Sequence, residues 1–335
     1  FRSMALTLTG SLSQACTVTL APNTLSNVWV VQNSAGDTVT LSQGTGANVV
    51  IPNGGIRMVA TDGAGSGAAV TDVLDVLGGT GNVGLGSGAF GTGLTTGTDN
   101  VAVGENAGDA LTTGSDNTLI GDNAGGALTT GGSNVAVGSS ALLTEDGNGN
   151  NVAVGFEALK VLNAGDEAYN VAVGYQAGVA VTTGTGNTLI GAVSGDALTT
   201  GANNAGVGIN SLGSLTTGSN NVAMGTAALD AATTADNNTA IGHASLGANT
   251  TGHSNVAVGS VALDANTTGT GNVAVGMNAL GANTTAASNV AIGDEALAAN
   301  TTGANNAAVG KNALDSNTTG ARNVAVGHDS VKAST

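Results

Sequence analysis

Asn255-Val256-Ala257-Val258-Gly259 is followed by Asn272-Val273-Ala274-Val275-Gly276 and Asn289-Val290-Ala291-Ile292-Gly293, three forms of one pentapeptide seventeen residues apart. Variants open at Asn82, Asn100, Asn117, Asn134, Asn151, Asn170, Asn187, Asn204, Asn221, Asn238, Asn306 and Asn323, with every spacing seventeen except one of eighteen and one of nineteen. A fixed period of this length over three quarters of the chain marks a solenoid in which each repeat is one turn. Fifteen starts define about fourteen full coils.

Counting the Asn as position 1, positions 2 to 4 alternate Val, Ala, Val or Ile before a Gly at position 5. This is a period-two strand with two branched side chains on one face and Ala or Gly on the other. At one strand spacing per coil, fourteen coils would extend roughly 67 Å. The position-5 Gly calls for a positive φ at the strand end together with close approach of a neighbouring chain. Two Val and one Leu bury little apolar surface against the backbone entropy of seventeen ordered residues. The expectation is therefore that the Ala/Gly face packs against identical partners around the axis of a homotrimer.

Internal comparison exposes a compensation. Where position 9 is Gly (Gly108, Gly125, Gly178, Gly195), position 12 is Leu or Val (Leu111, Leu128, Val181, Leu198); where position 9 is Leu (Leu246, Leu263, Leu280, Leu297, Leu314), position 12 is Asn (Asn249, Asn266, Asn283, Asn300, Asn317). Both positions address one core volume that takes about one large side chain per coil. Leu212 and Leu215 fill both and need a local accommodation.

Composition agrees with a thin core. The 335 residues include 56 Gly, 2 Pro and only 2% aromatics, with neither a Gly-X-Y triplet nor the polarity of a disordered chain. The formal charge is −16, and the six basic residues Arg2, Arg57, Lys160, Lys311, Arg322 and Lys332 are scattered, which excludes a nucleic-acid partner. A single Cys16 excludes an intrachain disulfide and a cysteine metal cluster. No apolar run reaches the roughly 18 residues of a membrane helix, and the first residues lack a signal-peptide stretch, so a soluble chain without membrane insertion is expected.

Residues 4 to about 78 escape the period. Leu6–Thr9, Thr17–Leu20, Val28–Val31, Thr38–Leu41, Val49–Ile51 and Arg57–Ala60 read as strands between turn signals, predicting a small antiparallel sandwich with Trp29 in its core. Gly63–Ser66 and the following Ala68–Leu74 read as a loop and short helix leading into the repeats. The fold class is thus all-β: a sandwich-like N-terminal domain over residues 1–78 as cap or joint, then a β-solenoid of 17-residue coils over 79–335.

The Asn-Val-Ala-Val-Gly motif, as at Asn255–Gly259, with Asn-Ala-Leu spacers and Thr-Thr-Gly spacers, the latter as in Asn266–Gly269, resembles the left-handed β-roll repeats of trimeric autotransporter adhesin heads and of many bacteriophage tail fibres. The resemblance covers residues 82 to 327 and departs in period, adhesin heads commonly using a shorter coil. Val18–Thr24 with Asn27–Val30, Gly46–Gly54 and Thr61–Ala69 are similar to segments recurring in tail fibres of marine podophages. The resemblance implies a homotrimeric tail fibre or shaft located in the virion, with other virion tail proteins as partners and a host surface glycan or protein receptor as its target. The alternative is a bacterial trimeric surface adhesin head at the cell surface.

The Asn column reads as a structural ladder of stacked amides rather than a ligand stripe. The Thr-Thr pairs, such as Thr112-Thr113 and Thr267-Thr268, place neighbours on opposite faces and read as turn hydroxyls, not as an ice-binding array. His243 and His328 share position 6 but lie five coils apart, too far to share an ion, and His253 sits in a turn; no metal or cofactor is expected. The nineteen-residue coil from Asn151 is the candidate for recognition: Phe156 and Tyr175 share position 6 in successive coils, with Glu157, Asp166, Glu167 and Tyr169 near in sequence. Aromatics beside carboxylates suit glycan contact; hydrolysis by an Asp/Glu pair is the weaker reading, and the chain is expected to be non-enzymatic.

Overall fold

A computed structural model describes residues 4–332 apart from 25, 77–80, 92 and 166. The chain is all-β: small N-terminal sheets precede a parallel β-solenoid of about fourteen coils at seventeen-residue spacing. Among the described residues the one helical turn is a 3-10 segment, Gly65–Gly67. The molecule divides into two compact units, Phe1–Asn134 and Val135–Thr335.

In the first unit the six expected strands form: β1 (Met4–Thr9), β2 (Cys16–Thr19), β3 (Val28–Ser34), β4 (Val39–Ser42), β5 (Val49–Ile51) and β6 (Ile56–Thr61). Their pairing is mixed rather than antiparallel throughout. β1 lies parallel to β3, and β2 parallel to β4, while β3–β6 and β4–β5 are antiparallel. Val31, Val39, Leu41, Ile51, Val59 and Val70 make the core, with Trp29 packed against it. The stretch expected to be helical is instead β7 (Val70–Val76), antiparallel to β6. Its run Val70-Thr71-Asp72-Val73 carries three β-branched residues, which favour a pleated neighbour over a helix. β7 pairs antiparallel with β8 (Val83–Leu85), and β9 (Val101–Val103) and β10 (Thr118–Ile120) then add in parallel.

The second unit repeats this parallel step from β11 (Val135–Val137) to β22 (Val324–Val326), one three-residue strand per coil, in register position for position. The nineteen-residue coil keeps that register: in β12 (Val152–Val154) and β13 (Val171–Val173) Val152 faces Val171 and Val154 faces Val173. Its two extra residues are absorbed after the strand.

The strand faces are the reverse of the expectation. Position 3, the Ala of Ala102, Ala136, Ala153, Ala257 and Ala274, is fully buried inside the coil, whereas the flanking Val and Ile are half-exposed on the outside. The reason is lumen size. The coil interior already holds the position-8 Ala, such as Ala107 and Ala262, and the position-9 or position-12 side chain, leaving room for a methyl but not for two branched side chains.

Position 5 has the expected positive φ, and the expected close approach takes a different partner. Gly242 has φ +132°, and a Cβ there would lie 2.4 Å from the carbonyl oxygen of Gly259. The approaching backbone is the next coil of the same chain, not a neighbouring chain.

The compensation at positions 9 and 12 is real, since both are buried. It also includes position 3. A Cβ on Gly108 or Gly125 would meet Leu119 within 2.6 and 2.8 Å, and Cβ atoms on Gly178 and Gly195 would each meet Leu189 at 2.8 Å. A single Leu in a Thr-Leu-Ile strand thus fills the space above two glycines in adjacent coils. The coil holding both Leu212 and Leu215 has Gly206 at position 3, where a Cβ would lie 3.1 Å from Leu212 Cδ1.

Candidate functional site

The Asn column is a buried ladder. Asn255 donates its backbone N–H to Asn238 Oδ1 at 3.0 Å, and its Nδ2 donates to the same oxygen at 3.2 Å and to Gly269 O at 2.9 Å. With donors and acceptor engaged inside the coil, these amides have structural work and no ligand-facing atom. A second ladder, unread in the sequence, occupies position 12: Asn266, Asn283, Asn300 and Asn317 each donate Nδ2 to the preceding Asn Oδ1 at 2.8–3.2 Å. Its signal was available as five consecutive Asn at the same seventeen-residue period.

The first Thr of the pair is also structural in successive coils: Thr112 Oγ1 donates to Thr129 O at 3.0 Å and Thr267 Oγ1 to Thr284 O at 3.1 Å. His243, His253 and His328 are exposed, and among the described residues no group of three or more His, Cys, Asp or Glu is placed to hold a metal ion. No helix among them is long and apolar enough to cross a membrane.

The structure brings part of the recognition candidate together. Phe156 and Tyr175 stack with centroids 5.5 Å apart and planes 12° from parallel. They remain 44% and 53% exposed, so the pair forms a ridge on the surface. At position 7 beside them, Glu157 accepts from Lys160 Nζ at 2.7 Å and from Gln176 Nε2 at 2.7 Å. The Lys160 and Gln176 hydrogen bonds hold the Glu157 carboxyl below its ordinary range. It is a fixed acceptor rather than a proton donor.

Glu167 and Tyr169 stand apart. They precede Asn170 whereas Tyr175 follows Gly174, so β13 separates them from the aromatic pair. Tyr169 donates its hydroxyl to Glu167 Oε2, and that bond raises the phenol above its usual value. Asp166 lies outside the described residues. Sequence proximity within the long coil therefore joined two groups that the strand keeps at its opposite ends.

Comparison with known proteins finds no matching family model, curated protein or solved structure. What the fold defines by itself is a parallel β-solenoid with two buried asparagine ladders and a half-exposed Val/Ile face.

Proposed function

We propose that the chain is a non-enzymatic structural fibre protein, a homotrimeric bacteriophage tail fibre or shaft that positions host-cell attachment. The observation that carries the reading is the outer face of the repeat strands. Positions 2 and 4, such as Val256 and Val258 or Val290 and Ile292, leave rows of branched apolar side chains half in water along in-register coils. An apolar surface of this regularity favours being covered, at roughly 25 cal/mol per Å² removed from water. Copies of the same chain supply a matching surface coil by coil, because the period is shared. The burial pattern supports the Val/Ile face as the interface in place of the Ala/Gly face; the number three rests on the sequence resemblance. Inter-coil backbone bonds and the amide ladders suit a stiff spacer between a virion and its receptor.

The test is solution mass by light scattering at several protein concentrations. The expected value is near three times 31.5 kDa. A stable monomer across the series overturns the trimeric fibre and leaves a self-contained solenoid.

A further inference from the structure

We infer that Asn148 is a site of self-modification, at which the backbone nitrogen of Gly149 displaces the side-chain amide and leaves aspartate or isoaspartate; the inference does not depend on the fibre reading. The chain has two Asn-Gly pairs, Asn53-Gly54 and Asn148-Gly149. Glycine has no Cβ to hinder attack by its own nitrogen, so both pairs are chemically competent and the fold must choose between them. Exposure alone would choose Asn53, which lies in the open turn between β5 and β6, whereas Asn148 is 8% exposed.

The hydrogen bonds choose otherwise. Gly54 donates its N–H to Asn33 O at 2.7 Å, and Asn53 Oδ1 accepts from the Gly36 N–H at 3.1 Å, so nitrogen and side chain are each held by a third group. An amide must give up such a bond before it can attack. Gly149 donates its N–H to no acceptor among the described residues. Asn148 also has a proton source beside it. Glu145 Oε1 accepts the Asn148 N–H at 3.0 Å, the same carboxyl lies against the Asn148 side-chain amide, and its Oε2 is buried without a partner. Burial raises this carboxyl above the ordinary glutamate range, which favours the form that carries a proton. Both residues depart from the repeat: position 12 is Leu128 one coil earlier and Leu162 one coil later, and position 15 is Gly or Ala at Gly131, Gly184, Ala235 and Ala286.

In the reaction the Gly149 nitrogen bonds to Asn148 Cγ and loses its proton to solvent. The Cγ–Nδ2 bond breaks, Glu145 protonates the departing nitrogen, and ammonia leaves; Glu145 then regains a proton from solvent. Water opens the cyclic imide at either carbonyl, and Asp146 and Gly147, exposed in the same turn, bring that turn to the solvent. Opening at the side-chain carbonyl gives aspartate. Opening at the backbone carbonyl gives isoaspartate and adds a methylene to the main chain at position 15, whose carbonyl serves the outer ladder in other coils, as where Gly131 O accepts from Asn117 Nδ2 at 2.9 Å.

The experiment incubates the folded full chain at neutral pH in water labelled with heavy oxygen and follows both Asn-Gly pairs by peptide mass spectrometry. Labelled acid is expected at Asn148 ahead of Asn53, with isoaspartate among the products, while in denaturant the two pairs should convert alike. Glu145→Gln, which keeps an acceptor for the Asn148 N–H, should slow conversion at Asn148 about a hundredfold in the folded chain and leave Asn53 and the denatured chain unchanged. Asn148→Ala, a residue that position 15 already carries at Ala235, should fold and show no conversion there. Conversion at Asn53 first, no conversion at Asn148, or an unchanged rate in folded Glu145→Gln would overturn the inference. None of these results depends on oligomeric mass, so this inference and the fibre reading fail separately.

Discussion

Asn266 donates its side-chain amide to Asn249 Oδ1 at 2.8 Å and accepts from Asn283 Nδ2 at 2.9 Å, so each amide of the inner ladder is held by one neighbour and holds the next. Replacing Asn266 by Leu strands an acceptor on Asn249 and takes an acceptor from Asn283, although Asn283 keeps its bond to Ala286 O at 3.1 Å. A buried group left unpaired costs about 1–3 kcal/mol. Asn266→Leu should therefore lower the denaturant midpoint despite adding apolar volume, and Asn266→Asp, which buries a charge and loses the donor, should lower it further. A midpoint raised by the Leu variant would show that the ladder carries no stability.

A methyl group at position 5 meets two obstacles together. Gly242→Ala forces a side chain onto φ +132° and against the Gly259 carbonyl. Gly93→Ala, whose Cβ would have its nearest neighbour at 3.6 Å and needs no positive φ, is the control. The first should cost several kcal/mol, on the order of 3 or more, and the second under about 1 kcal/mol. Urea titration of the two variants side by side reads the difference.

Glu145 occupies position 12 of its coil, a place given elsewhere to Leu162, Val181 or Asn249, and it is fully buried with Oε2 lacking a hydrogen-bond partner. Burial pushes its carboxyl above the ordinary glutamate range. The unfolded chain thus releases this proton first, so the folded state binds more protons in the interval and stability falls as pH rises from about 4.3 through the raised value. Asp196, Asp230 and Asp264, raised by the same cause, act in the same direction. Glu145→Gln keeps an acceptor for the Asn148 N–H and should raise the melting temperature at pH 7 while leaving it nearly unchanged at pH 4. An equal shift at both pH values would exclude proton linkage as the cause.

On the outer face, Val258 and Val309 are three coils apart and partly exposed. Lysine at both positions leaves the coil interior intact but sets charge into the proposed interface. The double variant should keep its circular dichroism and its melting transition at low concentration while its mass falls to that of one chain. Retention of the parent mass would place the contact elsewhere.

Ala227 sits at φ +54° where Asn210, one coil earlier, takes +55°. Alanine in the left-handed region costs about 1–2 kcal/mol that asparagine or glycine largely avoids. Ala227→Asn should therefore stabilise the chain by roughly 1 kcal/mol in thermal unfolding.

Legibility in the sequence followed what repetition encodes. The period placed every repeat strand, and the shared column placed Phe156 on Tyr175, because identical spacing puts equivalent residues one above another. Alternation told which side chains share a face but not which face is inside. That choice depends on lumen width, a property of the whole coil, and size intuition sent Val inward where Ala belongs. The helix expected at Ala68–Leu74 failed because a pairing partner, β6, lies nine residues upstream of Val70 and local composition does not reveal it. Glu167 and Tyr169 were grouped with the aromatic pair by nearness along the chain, which a three-residue strand is enough to undo.

The in-register seventeen-residue rung also has a hereditary meaning. Each repeat strand of the second unit pairs position for position with the next, so excising one complete repeat rejoins surfaces that already match, and duplicating one inserts a rung between two that accept it. Unequal exchange between near-identical stretches of coding sequence would then change reach in steps of about 4.8 Å, with no intermediate that must refold around a mismatch. Reach becomes a quantised trait, open to selection one rung at a time.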